Sequence, residues 1–239
     1  MTTINKSLAY SGETLIYINE CELFWPGYID PCNPLDLPPN TIRVRTKNGA
    51  APIKNIFATY ESATKVEGTT DIYDVYKSGS DLTRLLYKST NVIEILGANT
   101  SNVTNLKEAF TGCSSLMNVA LFDTSSVTNM RSMFNNCSAL TTNNTTIPLF
   151  DTSNVTRMEE MFWGCYALTA IPLFNTSSVE NMYETFSGCL NVETGALALY
   201  QQLSAQGIES SYHVRTFEDC GSNTTTGAAE LAQIPDDWK

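Results

Sequence analysis

Four stretches of this chain repeat one pattern: Val103-x-x-Leu106-x-x-Ala109-Phe110-x-x-Cys113-x-x-Leu116, Val127-x-x-Met130-x-x-Met133-Phe134-x-x-Cys137-x-x-Leu140, then 155–168 and 179–192. The phenylalanines Phe110, Phe134, Phe162 and Phe186 are spaced 24, 28 and 24 residues apart, and Cys113, Cys137, Cys165 and Cys189 keep the same spacings. A period of this length predicts a stack of similar units, each burying its apolar face against the next because no single unit can bury it alone.

Within a unit, Val127, Met130, Met133 and Phe134 recur at i, i+3, i+6 and i+7, which predicts a helix of two to three turns. Asp123-Thr124-Ser125-Ser126 offers side-chain oxygens to the first amides of that helix, and Gly112, Asn136, Gly164 and Gly188 stand where a left-handed residue would end it. After each cysteine a short strand is expected, at Leu116 to Phe122, Ile147 to Phe150 and Leu168 to Phe174; Pro148 and Pro172 keep these strands brief. The expected fold class is therefore α/β: a short leucine-rich-repeat-like solenoid of about 24-residue helix–strand units with capping turns, preceded by a small β-rich N-terminal domain.

Two domains are expected. Residues 1–75 form a β-rich attachment or oligomerisation region, with strands at Thr14 to Ile18 and Thr41 to Thr46. Asn48-Gly49 is a hairpin signal before a second apolar stretch at Ile53 to Phe57. Residues 76–239 form the solenoid, with a degenerate first turn (Leu82, Leu85, Leu86, Val92 and Ile95 in the repeat columns) and a C-terminal cap, where Cys220 joins the cysteine column. The extra residues 141–146 read as a loop that bulges from the stack.

Hydrophobic residues make up 42% of the chain, enough for a sizeable core. Residues 1–98 carry 9 basic and 11 acidic side chains and residues 99–239 carry 5 and 14, so most of the net charge of −11 lies on the repeats. That surface repels phosphate backbones, and no nucleic-acid partner is expected. No apolar run approaches the roughly 20 residues of a membrane helix, so no membrane insertion is expected. The cysteines in the repeat column read as small apolar fillers, while Cys21 and Cys32 lie apart from it.

Chemistry-bearing clusters are few. His213 is the single histidine, and Tyr212 and Arg215 beside it suggest no triad, so no catalytic residue is assigned. Glu159-Glu160 sits on the polar face of its unit and reads as solvated. The column Asn99, Asp123, Asp151 and Asn175 reads as helix capping in preference to calcium ligation, so no metal and no cofactor are expected. Subtracting the repeat leaves Trp163 where sister units have Thr111, Asn135 and Ser187, Tyr166 where they have Ser114, Ser138 and Leu190, and Tyr183 where they have Lys107, Arg131 and Glu159. These three aromatics form the candidate binding patch, suited to a sugar or a protein.

The string Phe150-Asp151-Thr152-Ser153-Asn154-Val155-Thr156-x-Met158-x-x-Met161-Phe162-x-x-Cys165-x-x-Leu168 closely resembles the BspA-like repeat of bacterial surface proteins and lipoproteins, a leucine-rich-repeat adhesin family also found in phage- and prophage-encoded proteins of gut bacteria. The resemblance implies a non-enzymatic, surface-displayed binding protein. The opening residues resemble neither a signal sequence nor a lipidated cysteine, so the expectation is a virion-surface component of a bacteriophage, a head or tail fibre or receptor-binding attachment made in the host cytoplasm. The alternative is a bacterial cell-surface adhesin. The expected partners are other virion structural proteins through the N-terminal region and a host surface glycan or protein through the repeats, with a homo-oligomer as a further option.

Overall fold

A computed structural model describes residues 9–10, 14–15, 37–141, 149–208 and 210–239. A two-stranded antiparallel pair, β1 (Ala9–Tyr10) with β2 (Thr14–Leu15), stands first. The main sheet holds β3 (Thr41–Thr46), β4 (Ser62–Lys65), β5 (Ile72–Tyr76), β6 (Val92–Asn99) and β7 (Asn118–Val119), in the order β4-β5-β3-β6-β7. All its pairings are antiparallel except β6 with β7. β3 takes the sheet centre because both its faces are covered: Ile42 and Val44 are fully buried on one, and Arg43 on the other is held by two hydrogen bonds to Asp74, at 2.7 and 2.9 Å. Asn48 and Gly49 turn with positive φ, yet β3 pairs with β5 and β6, and Ile53 to Phe57 form no strand.

The repeats correct the expected fold class. Among the described residues the chain is mostly β, a five-stranded mixed sheet with only two short helices, α1 (Ala196–Gln206) and α2 (Thr225–Leu231), and neither lies in a repeat; it is not a helix–strand leucine-rich-repeat solenoid. Each unit is instead a turn-rich rung. Successive rungs are joined by parallel bridges at Asp81, Asn105, Asn129, Arg157 and Asn181.

The reason lies in the backbone. A left-handed residue recurs twice per rung, four residues apart: Glu108 and Gly112, Ser132 and Asn136, Glu160 and Gly164, Glu184 and Gly188. The second member of each pair is the residue expected to end a helix. The first interrupts any helix before it completes two turns, because an α-helix cannot contain left-handed φ. The amides of Met130, Ser132, Phe134 and Asn136 therefore donate across to the carbonyls of Arg157, Glu159, Met161 and Trp163 in the next rung, at 2.9, 2.8, 2.9 and 2.7 Å. Alternate residues close i→i−3 turns, as Met133 N to Met130 O and Asn135 N to Ser132 O. The apolar columns remain buried, so the same i, i+3, i+6, i+7 pattern serves a rung as well as a helix.

In this ladder the rung amides point toward the C-terminal end and the carbonyls toward the N-terminal end, so each end of the stack needs a cap. At the first rung Thr59 Oγ1 donates to Thr83 O at 2.6 Å and Asn55 Nδ2 donates to Tyr87 O. At the last, Phe217 N donates to Trp238 O at 2.9 Å, and the Trp238 indole stacks on His213 with centroids 3.9 Å apart.

The core is continuous from Ile42 to Trp238. Its spine is a phenylalanine column in which Phe110, Phe134, Phe162, Phe186 and Phe217 stack at successive centroid distances of 5.4, 5.6, 5.3 and 6.2 Å. The cysteines beside it are buried free thiols, and they do more than fill space: the Sγ atoms of Cys113, Cys137, Cys165 and Cys189 donate to the carbonyls of Leu86, Phe110, Phe134 and Phe162 at 3.1 to 3.2 Å.

Burial pushes the thiols of Cys113 and Cys189 up from 9.0 to about 12, and those of Cys137, Cys165 and Cys220 well above 9.0. The folded state thus keeps protons that the unfolded chain releases; for Cys113 and Cys189 the stabilisation is complete below pH 9 and is lost as pH rises from about 9 to about 12, and the other three thiols act in the same direction. Each of these two thiols contributes a slope of about 1.4 kcal/mol per pH unit in that window, and cooperative unfolding within it is expected in a pH titration followed by circular dichroism. At pH 8 these thiols should resist iodoacetamide until urea unfolds the chain, because the thiolate is the reactive form. Rapid labelling of Cys113, Cys137, Cys165, Cys189 or Cys220 in the native protein, located by peptide mapping, would contradict the burial. Cys21 and Cys32, most of the Thr14 to Ile18 strand, and residues 142–148, with most of the expected loop and the start of the Ile147 to Phe150 strand, lie outside the described residues.

Candidate functional site

The second left-handed column, Lys88, Gly112, Asn136, Gly164 and Gly188, runs along the stack as a strip of mostly small residues. It leaves a shallow hollow of about 470 Å3 over the first rungs. Tyr87 and Lys88 stand at one end and Tyr166 at the other, with Thr111, Ser114, Asn135 and Ser138 between them. The ammonium of Lys88 lies 5.4 Å from the Tyr87 ring centroid.

Tyr166 is 44% exposed, and its ring lies across two glycines. A Cβ built on Gly164 would meet Tyr166 Oη at 3.8 Å, and one on Gly188 would meet Tyr166 Cε1 at 3.9 Å. The left-handed backbone that selects glycine there also clears the seat on which the ring rests. Asn191 Nδ2 donates to Tyr166 O at 2.8 Å and fixes the local backbone. The result is an aromatic face at each end of a strip of amides and hydroxyls, which can stack on an apolar ring face while hydrogen-bonding its rim.

The other two expected residues are placed differently. Trp163 is half-buried and continues the column of Tyr87, Thr111 and Asn135 on the rung that carries Tyr166. Tyr183 is half-buried beside a charged ladder; a hydrogen bond with Glu184 raises its phenol above the usual value. That ladder pairs Arg84 with Glu108 at 2.5 Å, Arg131 with Glu160 at 3.5 Å and Arg215 with Glu184 at 3.2 Å. Among the described residues no ring contact joins Trp163, Tyr166 and Tyr183, and only Tyr166 of the three lines the hollow. The residue that sequence reading missed is Tyr87. Carrying the repeat column back one unit from Thr111 would have found it.

The other polar candidates are structural. Asp123 Oδ1 accepts from the amide and hydroxyl of Ser125 at 2.9 and 2.7 Å, and Asp151 does the same with Ser153 at 3.0 and 2.6 Å, so this column caps turns where helix caps were expected. No group of three metal-ligating side chains occurs among the described residues. Glu159 is buried and paired with Arg157 at 2.6 Å, contrary to the solvated face expected for it. His213 is buried under Trp238, with no hydrogen-bond partner for Nδ1 among the described residues.

Residues 80–197 match the family model described as Mycoplasma protein of unknown function, DUF285. The DUF285 match covers just under half of the chain and contains all four repeat units, Tyr87 and Tyr166. Comparison with curated proteins and with solved structures gives no match. No described helix is long and apolar enough to cross a membrane.

Proposed function

We propose that this chain is a non-enzymatic, surface-displayed binding protein whose Tyr87–Tyr166 hollow takes a host surface glycan. The carrying observation is the hollow itself: an exposed Tyr166 and a half-buried Tyr87 bracket the amides of Asn135 and Asn136 and the hydroxyls of Thr111, Ser114 and Ser138. Rungs about 4.8 Å apart give the strip a length on the order of 15 Å, suited to a short oligosaccharide. The DUF285 match over the BspA-like repeats supports a surface role, and the aromatic residue Trp163 extends the same face.

The test is binding of Tyr166→Ala and Tyr87→Ala to a glycan array, with thermal melts alongside. Loss of a stacking ring is expected to weaken a recognised glycan roughly tenfold or more, about 1.4 kcal/mol or above, without changing the melt. Unchanged binding in both variants, or the absence of any bound glycan, would remove the reading.

We place the protein on a bacteriophage particle, with residues 1–75 attaching it to other particle proteins. A second reading, a bacterial cell-surface adhesin, gains from the family model's description as a Mycoplasma protein. Mass spectrometry of purified particles beside a surface fraction of the host separates the two: stoichiometric recovery from particles supports the first, and recovery from cell surfaces alone the second.

A further inference from the structure

A second face carries a different pattern. In the extended segments that follow each rung, Leu121, Leu149 and Leu173 point outward and are 60, 60 and 55% exposed, while the next residues, Phe122, Phe150 and Phe174, turn inward and are buried. Large aliphatic side chains scattered singly need no explanation, but three in register on adjacent rungs make a continuous apolar strip. Two shallow hollows of about 540 and 510 Å3 run along it and share Leu149 and Asp151. Neither shares a lining residue with the Tyr87–Tyr166 hollow.

The strip is flanked by acid. Asp123 and Asp151 line it, and no lysine or arginine does among the described residues. Hydrogen bonds from Ser125 and Ser153 hold both carboxyls below the usual range, and those bonds engage Oδ1; among the described residues Oδ2 of each has no hydrogen-bond donor and can meet a cation.

The spacing selects the shape of the occupant. Leu121, Leu149 and Leu173 occupy one position on successive rungs, so they repeat at the rung spacing of about 4.8 Å, and the Phe122 and Phe150 rings behind the first two lie 5.1 Å apart. An α-helix repeats its i, i+3/i+4, i+7 row every ~5.4 Å, whereas an extended strand repeats a face only every ~6.6 Å. The chain already uses a helix at the far end of this column: Gln202 of α1 donates to Phe174 O at 2.8 Å and to Thr176 Oγ1 at 2.6 Å, and Gln206 to Thr176 Oγ1 at 2.9 Å.

We infer that the Leu121–Leu149–Leu173 strip is a docking groove for a basic amphipathic helix of a partner protein, its apolar row on the leucines and its lysines or arginines against Asp123 and Asp151. Such recognition combines helix-in-groove packing with charge steering.

The probe is a fluorescein-labelled peptide of about 18 residues with leucine at helical spacing and lysine elsewhere, titrated into the full chain by anisotropy. Two controls accompany it: glutamate in place of lysine, and the same composition alternating leucine and lysine. Binding of the helical lysine peptide is expected, at least tenfold tighter than either control. Leu149→Ser and the double variant Asp123→Asn/Asp151→Asn should each weaken it at least tenfold, and Tyr166→Ala should leave it unchanged. Leu149 is mostly exposed, so its variant should melt like the parent.

Absence of binding, equal binding of a control peptide, or binding indifferent to Leu149→Ser would overturn the inference. A concentration-dependent dimer in sedimentation that Leu149→Ser abolishes would also overturn it, by giving the groove to a second copy of the chain. Because Tyr166→Ala is read in both assays, failure of the groove and failure of the glycan hollow are distinguishable.

Discussion

Phe134→Ala is expected to destabilise the protein by ~3–5 kcal/mol, read as a lowered urea midpoint with little change in slope. Phe134 is fully buried, and its ring meets Phe110 at 5.4 Å, Phe162 at 5.6 Å and Phe150 at 6.2 Å. Removing it leaves a void walled by three rings belonging to three rungs. Those rings cannot move in to fill it, because each rung's backbone is tied to its neighbours by amide–carbonyl bonds of 2.7 to 3.2 Å. The upper part of the range therefore applies. Phe57→Ala is the contrast: Phe57 is half exposed and touches Tyr87 edge-on at 5.9 Å, so it should cost well under half as much. Equal losses for the two variants would mean that the phenylalanine column is not the spine of the fold.

How much of this was legible in the sequence can be judged from single columns. Period, register and core composition were legible because burial imposes them: Val127, Met130, Met133, Phe134, Cys137 and Leu140 all fall inside. The backbone conformation was not. Glycine or asparagine marked one left-handed position per rung, but the other holds Glu108, Ser132, Glu160 and Glu184. Such residues carry no left-handed signal, since positive φ is uncommon outside glycine and asparagine and is tolerated here only because each rung is locked by the next. Without that second break the same spacing reads as a helix.

The thiol column shows a similar limit. Composition identified it as small and buried, whereas its hydrogen bonds to rung carbonyls became visible only with the rungs in place. Helix α1 also went unread, although Ala196-Leu197-Ala198-Leu199-Tyr200-Gln201-Gln202-Leu203 is rich in strong helix formers and ends in a left-handed glycine, Gly207. For the candidate site, Tyr166 departs from its column among well-kept repeats, whereas Tyr87 lies on the degenerate first rung, where other columns also depart from the repeat and one more substitution carries little signal.

The glycines at the two ends of α1 set up the second large expected effect. Gly195 and Gly207 both adopt positive φ, 102° and 70°, so alanine at either site pays about 1–2 kcal/mol for left-handed backbone. Their surroundings differ. A Cβ on Gly207 meets nothing within 4 Å, whereas one on Gly195 would sit 2.3 Å from Ile171 O and 3.1 Å from Ile171 C. Both of those atoms are backbone, in a segment pinned by the bond from Ile171 N to Thr194 O at 3.0 Å and by the parallel bridge between Ala170 and Thr194. Relief requires breaking that pairing and lifting α1, whose Leu199 and Leu203 are fully buried. Gly195→Ala should therefore cost on the order of 3 kcal/mol or more, against about 1 for Gly207→Ala, a separation easily seen in paired thermal melts. Because α1 walls the far end of the leucine groove through Gln202, a Gly195→Ala chain that still folds should also lose affinity for the helical lysine peptide, while Gly207→Ala should not. Equal stability of the two variants would show that the close approach of Gly195 to Ile171 does not anchor α1 to the last rungs.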